Sequence, residues 1–407
     1  MTGSNWLISN KSLIVLISKT MEFIRSQTWL LETPIFTTFR INKLKNNDVA
    51  KLSSILIEQC KELNTTVIPK YYFLKSDCLI LERWPLEVMI NKSGKEVIVD
   101  AQCGEAVLRG AHVYAPGVIG LSSDCILNEK VDIYADLDGK CKRGLKIPYT
   151  GKKKFVASGR LMMLRCDLFD NGIQPNGIAV HTLLPDSRLP VVNESLFPKG
   201  EILMQNLPSI VAGWVVNAQP NEYIFDMCAA PGNKTTHLAE MSNNKAYIIA
   251  IDKTDNKVKK IKEKCEAHGI TCVKAFAFDS TKCYSEDHNE FISEPPFPGN
   301  CFDKILLDAP CSGLGQRPQL LSKLNMKTLN SYKYLQRKLF ATAVKLVKPG
   351  GKIIYSTCTV TVDENEGIVL WALEKFPCLR LIPAEPLLGG PGLDNVGLNN
   401  EQRHVLL

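Results

Sequence analysis

Two cysteines in this chain sit where a thiol can do chemistry. Cys311 follows Asp308, Ala309 and Pro310 at the end of the apolar run in KILLDAPCSGLGQRP, and Cys358 follows the apolar run in KIIYSTCTVT. Buried cysteines are as a rule inert packing residues, and most of the fourteen cysteines here are read that way. These two differ by position, because each lies just past a strand end. A thiolate placed there is a nucleophile suited to addition to an electron-poor ring carbon. Lowering its pKa needs a nearby cation or free N–H groups, and Lys234 is a candidate cation.

Three acids share the same kind of position. Asp252 follows YIIAI, Asp279 follows AFAF and Asp308 follows KILL. A single strand-end Asp is commonly a helix N-cap, but three at successive strand ends point to a site. An acid ending the second strand of an open parallel sheet is the usual partner of ribose hydroxyls. The stretch DMCAAPGNKTTHLAE reads as strand, tight Ala-Pro-Gly turn and helix start. Gly232 lets backbone approach a ligand closely. The helix N-terminus supplies free N–H groups and positive potential suited to a carboxylate. The spacing matches neither GxGxxG nor a Walker loop, and a plain strand-to-helix turn is the alternative. Amides for a carboxylate and an acid for ribose together suggest a nucleoside-bearing cofactor.

These residues need elements to position them. From residue 189 to 407 the chain alternates strand and helix: EYIFDMC then NKTTHLAEM, AYIIAID then NKVKKIKEKCEAHG, VKAFAFD, KILLDAP, then SYKYLQRKLFATAVKLV and GKIIYSTC. That alternation predicts an α/β, doubly wound, mostly parallel sheet. Ligands of such sheets bind outside the carboxyl ends of the strands, where the acids and cysteines fall.

Residues 95–188 have a different character. EVIVD, VYAPGVIG and KVDIYADL are short β-type runs separated by Gly and Asp, which suggests a small β-barrel. CGEAVLRGA reads as a short helix between strands, and LDGKCKRG and YTGKKKF as basic turns. Residues 1–94 form an α+β region. MEFIRSQTWLLE has helical periodicity, FTTFRIN reads as a strand, and KLSSILIEQCKEL spaces Leu52, Ile55, Leu56 and Leu63 on one helical face. SLIVLIS, bracketed by Lys11 and Lys19, reads as a core helix; it falls short of the roughly 20 apolar residues of a membrane span.

Composition fits this organisation. The 407 residues are 45% hydrophobic and 22% charged, ordinary for globular domains, with a formal net charge of +7 that permits a polyanionic partner. The cysteines show no CxxC pair and no zinc-finger spacing, so no metal is expected, and they read as free thiols in a reducing compartment.

The motifs FDMCAAPGNKTTHLA, LLDAPCSGLG and YSTCTVTVDENE resemble the NSun (Nop/Sun) family of RNA cytosine carbon-5 methyltransferases, which use S-adenosylmethionine. FTTFRIN matches the family's N-terminal Arg-x-Asn strand, and AQCGEAVLRGAHVYAPGVIG looks like the PUA domain of its tRNA-methylating branch. The resemblance covers roughly residues 30–395. It implies a Rossmann-like S-adenosylmethionine methyltransferase domain with an inserted PUA β-barrel. By the family's roles, Cys358 is the nucleophile at carbon 6 of a flipped-out cytosine, and Cys311 assists proton removal or product release. Asp308 contacts ring N3 with a protonated carboxyl, a form that burial favours. Cys228, Ala229, Ala230, Pro231, Gly232, Asn233 and Lys234 wrap the methionine end of the cofactor; Asp252 holds its ribose, Asp279 lies near its adenine, and Asp308 is counted with the cofactor contacts as well.

The resemblance also implies a substrate: tRNA, contacted at its 3′ CCA end and acceptor stem, with other structured RNA as a further class. Lys140, Lys142, Arg143, Lys152, Lys153 and Lys154 are phosphate candidates, with solvated loops as the alternative. Arg109 lies near a shape-reading segment, and Tyr114 can stack on a base. A cytoplasmic monomer is expected. Two departures stand out. Asn233 replaces the usual Gly of the family's Ala-Pro-Gly-Gly-Lys turn, and no final apolar strand is found. The second departure predicts an open edge on the strand leading to Cys358. It also favours an alternative reading, a catalytically weak or inactive truncated RNA-binding relative, which the two intact cysteines oppose.

Overall fold

The computed structural model describes residues 4–8, 29–45, 49–170, 174–287, 293–321, 324–388, 392–393, 397–399 and 402. SLIVLIS lies outside them, and of MEFIRSQTWLLE only the end is described, where Trp29–Leu31 form one 3₁₀ turn. Elements are numbered in chain order. The first part holds β1 (Ser4–Ile8), β2 (Phe36–Ile41), α1 (Ala50–Leu63), β3 (Tyr71–Lys75) and β4 (Cys78–Glu82). The next holds β5 (Glu96–Val99), α2 (Ala101–Leu108), β6 (Val113–Tyr114), β7 (Val118–Leu121), β8 (Lys130–Asp136), β9 (Lys153–Leu161), α3 (Arg165–Phe169) and β10 (Ile178–Pro185). The last holds β11 (Ile202–Met204), α4 (Leu207–Val216), β12 (Tyr223–Asp226), α5 (Asn233–Met241), β13 (Tyr247–Asp252), α6 (Asp255–His268), β14 (Val273–Ala277), β15 (Phe302–Asp308), α7 (Met326–Leu346), β16 (Val347–Ser356), α8 (Glu366–Lys375) and β17 (Leu379–Ile382).

The last part is a doubly wound domain. Its seven-stranded sheet runs β14-β13-β12-β15-β16-β1-β17, and every pairing in it is parallel. The strands are nearly continuous apolar runs because helices cover both faces. One face packs Phe225, Ile305, Leu307 and Ile353 against Leu339, Phe340 and Ala343 of α7. The other packs Ile224, Ile248, Leu306 and Ile354 against Ile210, Trp214 and Leu238 of α4 and α5. Strand order reverses between β12 and β15, so a crevice opens above their carboxyl ends, the usual ligand position in this fold.

The expected open edge is not present. The backbone of Ser4–Ile8 runs parallel to β16, with Leu7 opposite Ile354 and Ile8 opposite Tyr355, and its other side pairs with β17. A strand edge gains by satisfying its row of N–H and C=O groups, and here a segment remote in sequence does so. No local pattern could have signalled the pairing.

A six-stranded sheet of order β6-β10-β9-β8-β5-β7 is built from residues 96–185, with α2 across it. Asp100 caps α2 by accepting from the Cys103 N–H at 2.8 Å. A third sheet, β11-β2-β4-β3, is antiparallel. Its β11 comes from far along the chain and pairs beside β2, which joins the first and last parts through backbone. Leu52 and Leu56 of α1, spaced four apart, bury against Phe39, Leu79 and Leu81 of this sheet. Among the described residues no helix is long and apolar enough to cross a membrane.

Candidate active site

The turn after β12 rests on its neighbours' backbones. The Met227 N–H donates to Leu306 O at 3.0 Å, and the Ala229 N–H donates to Ile251 O at 2.9 Å. Gly232 takes φ +102°, a conformation open to glycine, and α5 begins at Asn233. The positive-φ position is therefore Gly232 and not Asn233, so replacing the family's second Gly by Asn introduces no strained φ. The free N–H groups of α5 then face the crevice end of the strands.

The acids of the strand ends form one rim. Asp252, buried, accepts from the Ala230 N–H at 3.1 Å and the Lys253 N–H at 2.7 Å, and pairs with Lys257 Nζ at 2.9 Å. It thus links the turn to α6. Asp279 accepts from Thr281 N–H at 3.0 Å and Thr281 Oγ1 at 2.7 Å; these bonds hold its carboxyl below the usual carboxylate range. It is the cap of a 3₁₀ turn, Ser280–Lys282. Ser280 donates to Met227 O at 2.5 Å, which ties that turn to the first strand end.

Asp308 stands at the end of β15 between two partners. Its Oδ2 meets Lys234 Nζ at 2.6 Å and its Oδ1 accepts from Ser356 Oγ at 2.9 Å. Lys234, on the first turn of α5, therefore reaches the end of β15, three residues before Cys311.

The two cysteines meet. Their sulfurs are 3.2 Å apart, and the Cys358 N–H points at Cys311 Sγ at 3.3 Å. The contact with Cys311 lowers the Cys358 pKa; burial and Asp308 push it up, and Lys234 pulls it down. The same contact, with burial, raises the Cys311 pKa. Of the two, Cys358 is the more readily ionised and Cys311 the less.

Glu364 staples the two loops. It is buried and accepts from Ser312 N–H at 3.0 Å, Ser312 Oγ at 2.6 Å, Gln336 Nε2 at 3.0 Å and Thr361 Oγ1 at 2.8 Å. Ser312 follows Cys311 and Thr361 lies just past Cys358, so one carboxylate fixes both thiols. Two further groups escaped sequence reasoning. Asp226 ends β12 fully buried; burial pushes its carboxyl up to about 7, and its Oδ1 has no hydrogen-bond partner among the described residues. Arg40 of β2, 0% exposed, donates to Asn233 O, to Thr236 Oγ1 at 2.7 Å, to Gln205 Oε1 at 2.8 Å and to Glu240 at 2.9 Å. It grips the first and second turns of α5 from outside the domain. The strand-end position of Asp226 was a usable signal. Arg40 and Glu364 each lie within a quoted motif, FTTFRIN and YSTCTVTVDENE, but their tasks were not legible there, since their partners lie far away in sequence.

The basic candidates divide. Arg143 is exposed, and its guanidinium donates to Pro116 O at 3.3 Å, Val118 O at 3.1 Å and Leu168 O at 3.3 Å. Lys153 pairs with Glu96 at 2.6 Å and donates to Tyr149 O at 2.8 Å. Both brace the six-stranded sheet. Lys140 and Lys142 are exposed on the turn after β8, Lys152 is exposed before β9, and Lys154 is half-buried. Tyr114 is 50% exposed. Arg109 is exposed and donates to Pro318 O at 3.4 Å, in the segment that follows Cys311.

Comparison with known proteins gives a consistent result. Residues 214–397 match the family model described as 16S rRNA methyltransferase RsmB/F. The chain is similar to the human tRNA (cytosine(72)-C(5))-methyltransferase NSUN6, 41% identical over 97% of this chain and 84% of the relative. The Pyrococcus horikoshii tRNA (cytosine(72)-C(5))-methyltransferase is 31% identical over 89% of this chain and 84% of its own. The crystal structure of NSun6 from Pyrococcus horikoshii with SFG superposes with a TM-score of 0.70 at 28% identity, covering 96% of this chain and 92% of that one.

Proposed function

Since the chain belongs to the family of RNA cytosine-C5 methyltransferases that includes NSUN6, we propose that it methylates carbon 5 of a cytosine in tRNA. The observation that carries the reading is the thiol pair. Cys311 and Cys358 come from different strand ends, meet at 3.2 Å, and lie beside Asp308 and Lys234. Methyl transfer to oxygen or nitrogen needs no such thiol. Transfer to a ring carbon does, because the carbon must first be made electron-rich.

S-adenosylmethionine, when bound, supplies the methyl group from its sulfonium. The crevice fits it: helix N–H groups at Gly232–Lys234 suit the methionine carboxylate, and Asp252 at the second strand end suits the ribose. Asp279, at the third strand end, lies toward the adenine. A neighbouring protein in this family was solved with SFG, an S-adenosylmethionine analogue. The chain's own residues do the rest. The Cys358 thiolate adds to carbon 6, and electron density moves to carbon 5, which takes the methyl group. Asp308 accepts from Lys234 and Ser356 in the free chain; protonated in the bound state, its carboxyl donates to ring N3 and neutralises the charge that develops on addition. Cys311, once deprotonated, takes the carbon 5 proton; the electron pair left behind re-forms the 5,6 double bond and expels Cys358 as thiolate. A base in a paired stem cannot reach this crevice, so the cytosine is flipped out or already unpaired.

The six-stranded sheet is the RNA-holding part, read as a PUA barrel that takes the 3′ CCA end and acceptor stem. Arg109, Tyr114, Lys140, Lys142, Lys152 and Lys154 face that task. Arg143 and Lys153 support the sheet that carries it. The domains are taken as 1–94, 95–188 and 189–407, and the protein as a cytoplasmic monomer. The test is incubation of the full chain with labelled S-adenosylmethionine and unmodified tRNA transcripts with and without CCA. Label in 5-methylcytosine of the CCA-bearing transcript is expected; no label with a chain that still binds tRNA would remove the enzyme reading.

A further inference from the structure

The segment after Cys311 has its far end inside the other domain. Leu320, from the methyltransferase part of the chain, is 8% exposed and belongs to the core of the six-stranded sheet domain, with Val107, Leu108, Val131 and Ala135. Gly104 of α2 makes room for it. A Cβ on Gly104 would lie 3.1 Å from Leu320 Cδ1 and 2.4 Å from Ala135 Cβ, so no larger residue fits without displacement. The Leu320 N–H donates to Glu105 Oε1 at 2.7 Å, and Pro318 O accepts from Arg109 at 3.4 Å. Both partners come from α2 or its end. An apolar anchor and two polar clasps thus hold residues 318–320 to the helix that crosses the RNA-side sheet.

From that anchor the segment runs back to both thiols. Gln319 Nε2 donates to Gly313 O at 2.9 Å, two residues from Cys311. The Gly315 N–H donates to Cys358 O at 2.9 Å. The Gln319 N–H donates to Leu30 O at 2.7 Å, and Arg317 pairs with Glu32 at 2.6 Å, so the segment is held from a third side. We infer that Leu320 and Glu105 are positioning residues through which the six-stranded sheet domain sets the placement of Cys311 and Cys358. Packed interfaces pass displacement on because they resist compression, and thiol chemistry loses rate steeply with small misplacement. Neither residue touches substrate. Their effect falls on the chemical step rather than on tRNA or cofactor affinity. This rests on the methyltransferase reading for its rate prediction, but not for its geometry.

The experiment compares full-length Leu320→Ala, Glu105→Ala and Glu105→Gln with the parent chain. Three quantities are read: tRNA affinity, the single-turnover methyl-transfer rate, and the relative iodoacetamide alkylation of Cys311 and Cys358 by mass spectrometry. Leu320→Ala and Glu105→Ala are expected to lower the single-turnover rate by about tenfold or more and to change the Cys311-to-Cys358 alkylation ratio, with tRNA affinity retained. Glu105→Gln, which keeps the acceptor for the Leu320 N–H, is expected to restore both. An unchanged alkylation ratio in Leu320→Ala and Glu105→Ala would overturn the inference, as would a rate loss matched by an equal loss of tRNA affinity. If the parent chain shows no methyl transfer, the methyltransferase reading fails, while the alkylation ratio still decides this inference.

Discussion

Replacing Arg40 by Met tests how the cofactor turn is held. Met keeps most of the side chain's length and removes its charge. In the native chain Arg40 is fully buried and satisfies Asn233 O, Thr236, Gln205 and Glu240 at once. Among the described residues Glu240 then keeps His268, whose Nδ1 lies 3.1 Å away, and the weaker influence of His237. Breaking a buried ion pair by removing one partner costs about 3–5 kcal/mol, because the other charge stays buried and unpaired. For a domain of this size that is a melting shift on the order of 10 °C. The pH dependence identifies the cause. Burial pushes the Glu240 carboxyl up, but Arg40 and then His268 draw it below its ordinary 4.5. A depressed carboxyl contributes stability above the unfolded value, and that stability is lost as pH falls through the folded value. The difference between Arg40→Met and the parent is therefore largest near neutral pH and shrinks as pH falls below about 4.5. The assay is urea denaturation of both proteins at several pH values, with S-adenosylmethionine affinity measured in parallel. Affinity is expected to fall because Asn233 O loses its clamp. A loss under about 1 kcal/mol, or one that does not vary with pH, refutes the reasoning.

Other outcomes follow from single contacts. The pH profile of Cys358 alkylation is expected to have its midpoint below that of an ordinary thiol, and Cys311→Ala to move it upward, because the contact that lowers the Cys358 pKa is gone. Asp226→Asn is expected to flatten stability against pH. The buried carboxyl, raised from 3.8 to about 7, makes the folded state bind the proton more tightly, so the parent loses stability as pH rises across that window. Each unit in the window is worth about 1.4 kcal/mol, and urea midpoints at the two ends of the window read it. Gly232→Ala places a Cβ at φ +102° with ordinary room around it, 3.4 Å from the nearest atom. The cost is backbone strain of about 1–2 kcal/mol, expected as roughly tenfold weaker S-adenosylmethionine binding by calorimetry.

Much of the site was legible because the fold places its chemistry by a local rule. In a doubly wound sheet the residues just past each strand are the ones that face a ligand. Apolar runs are easy to see, so the residues after YIFD, YIIAI, KILL and KIIYS could be read directly. Helix α5 was legible from its start at Asn233, and α1 from Leu52 and Leu56. What escaped is long-range. Nothing around Ser4–Ile8 shows that it pairs with β16, and nothing around Ile202–Met204 shows that it joins β2. Strand pairing between distant segments carries no local pattern. Arg143 is exposed, as its basic, turn-like neighbours suggest, and Lys153 is half-buried, yet both donate to groups of the protein itself. Their carbonyl and carboxylate partners are remote. Glu364 was visible within a motif, yet its task of binding both cysteine loops needs the two loops side by side.

The central claim is that Cys358 bonds covalently to the RNA and Cys311 helps release it. Its most direct test is denaturing electrophoresis after mixing labelled tRNA transcript and S-adenosylmethionine with Cys311→Ala, Cys358→Ala and the double variant. A slow-migrating protein–RNA species is expected with Cys311→Ala alone, destroyed by protease and absent whenever Cys358 is replaced. A species that persists in Cys358→Ala, or methyl transfer that survives there, would contradict the account.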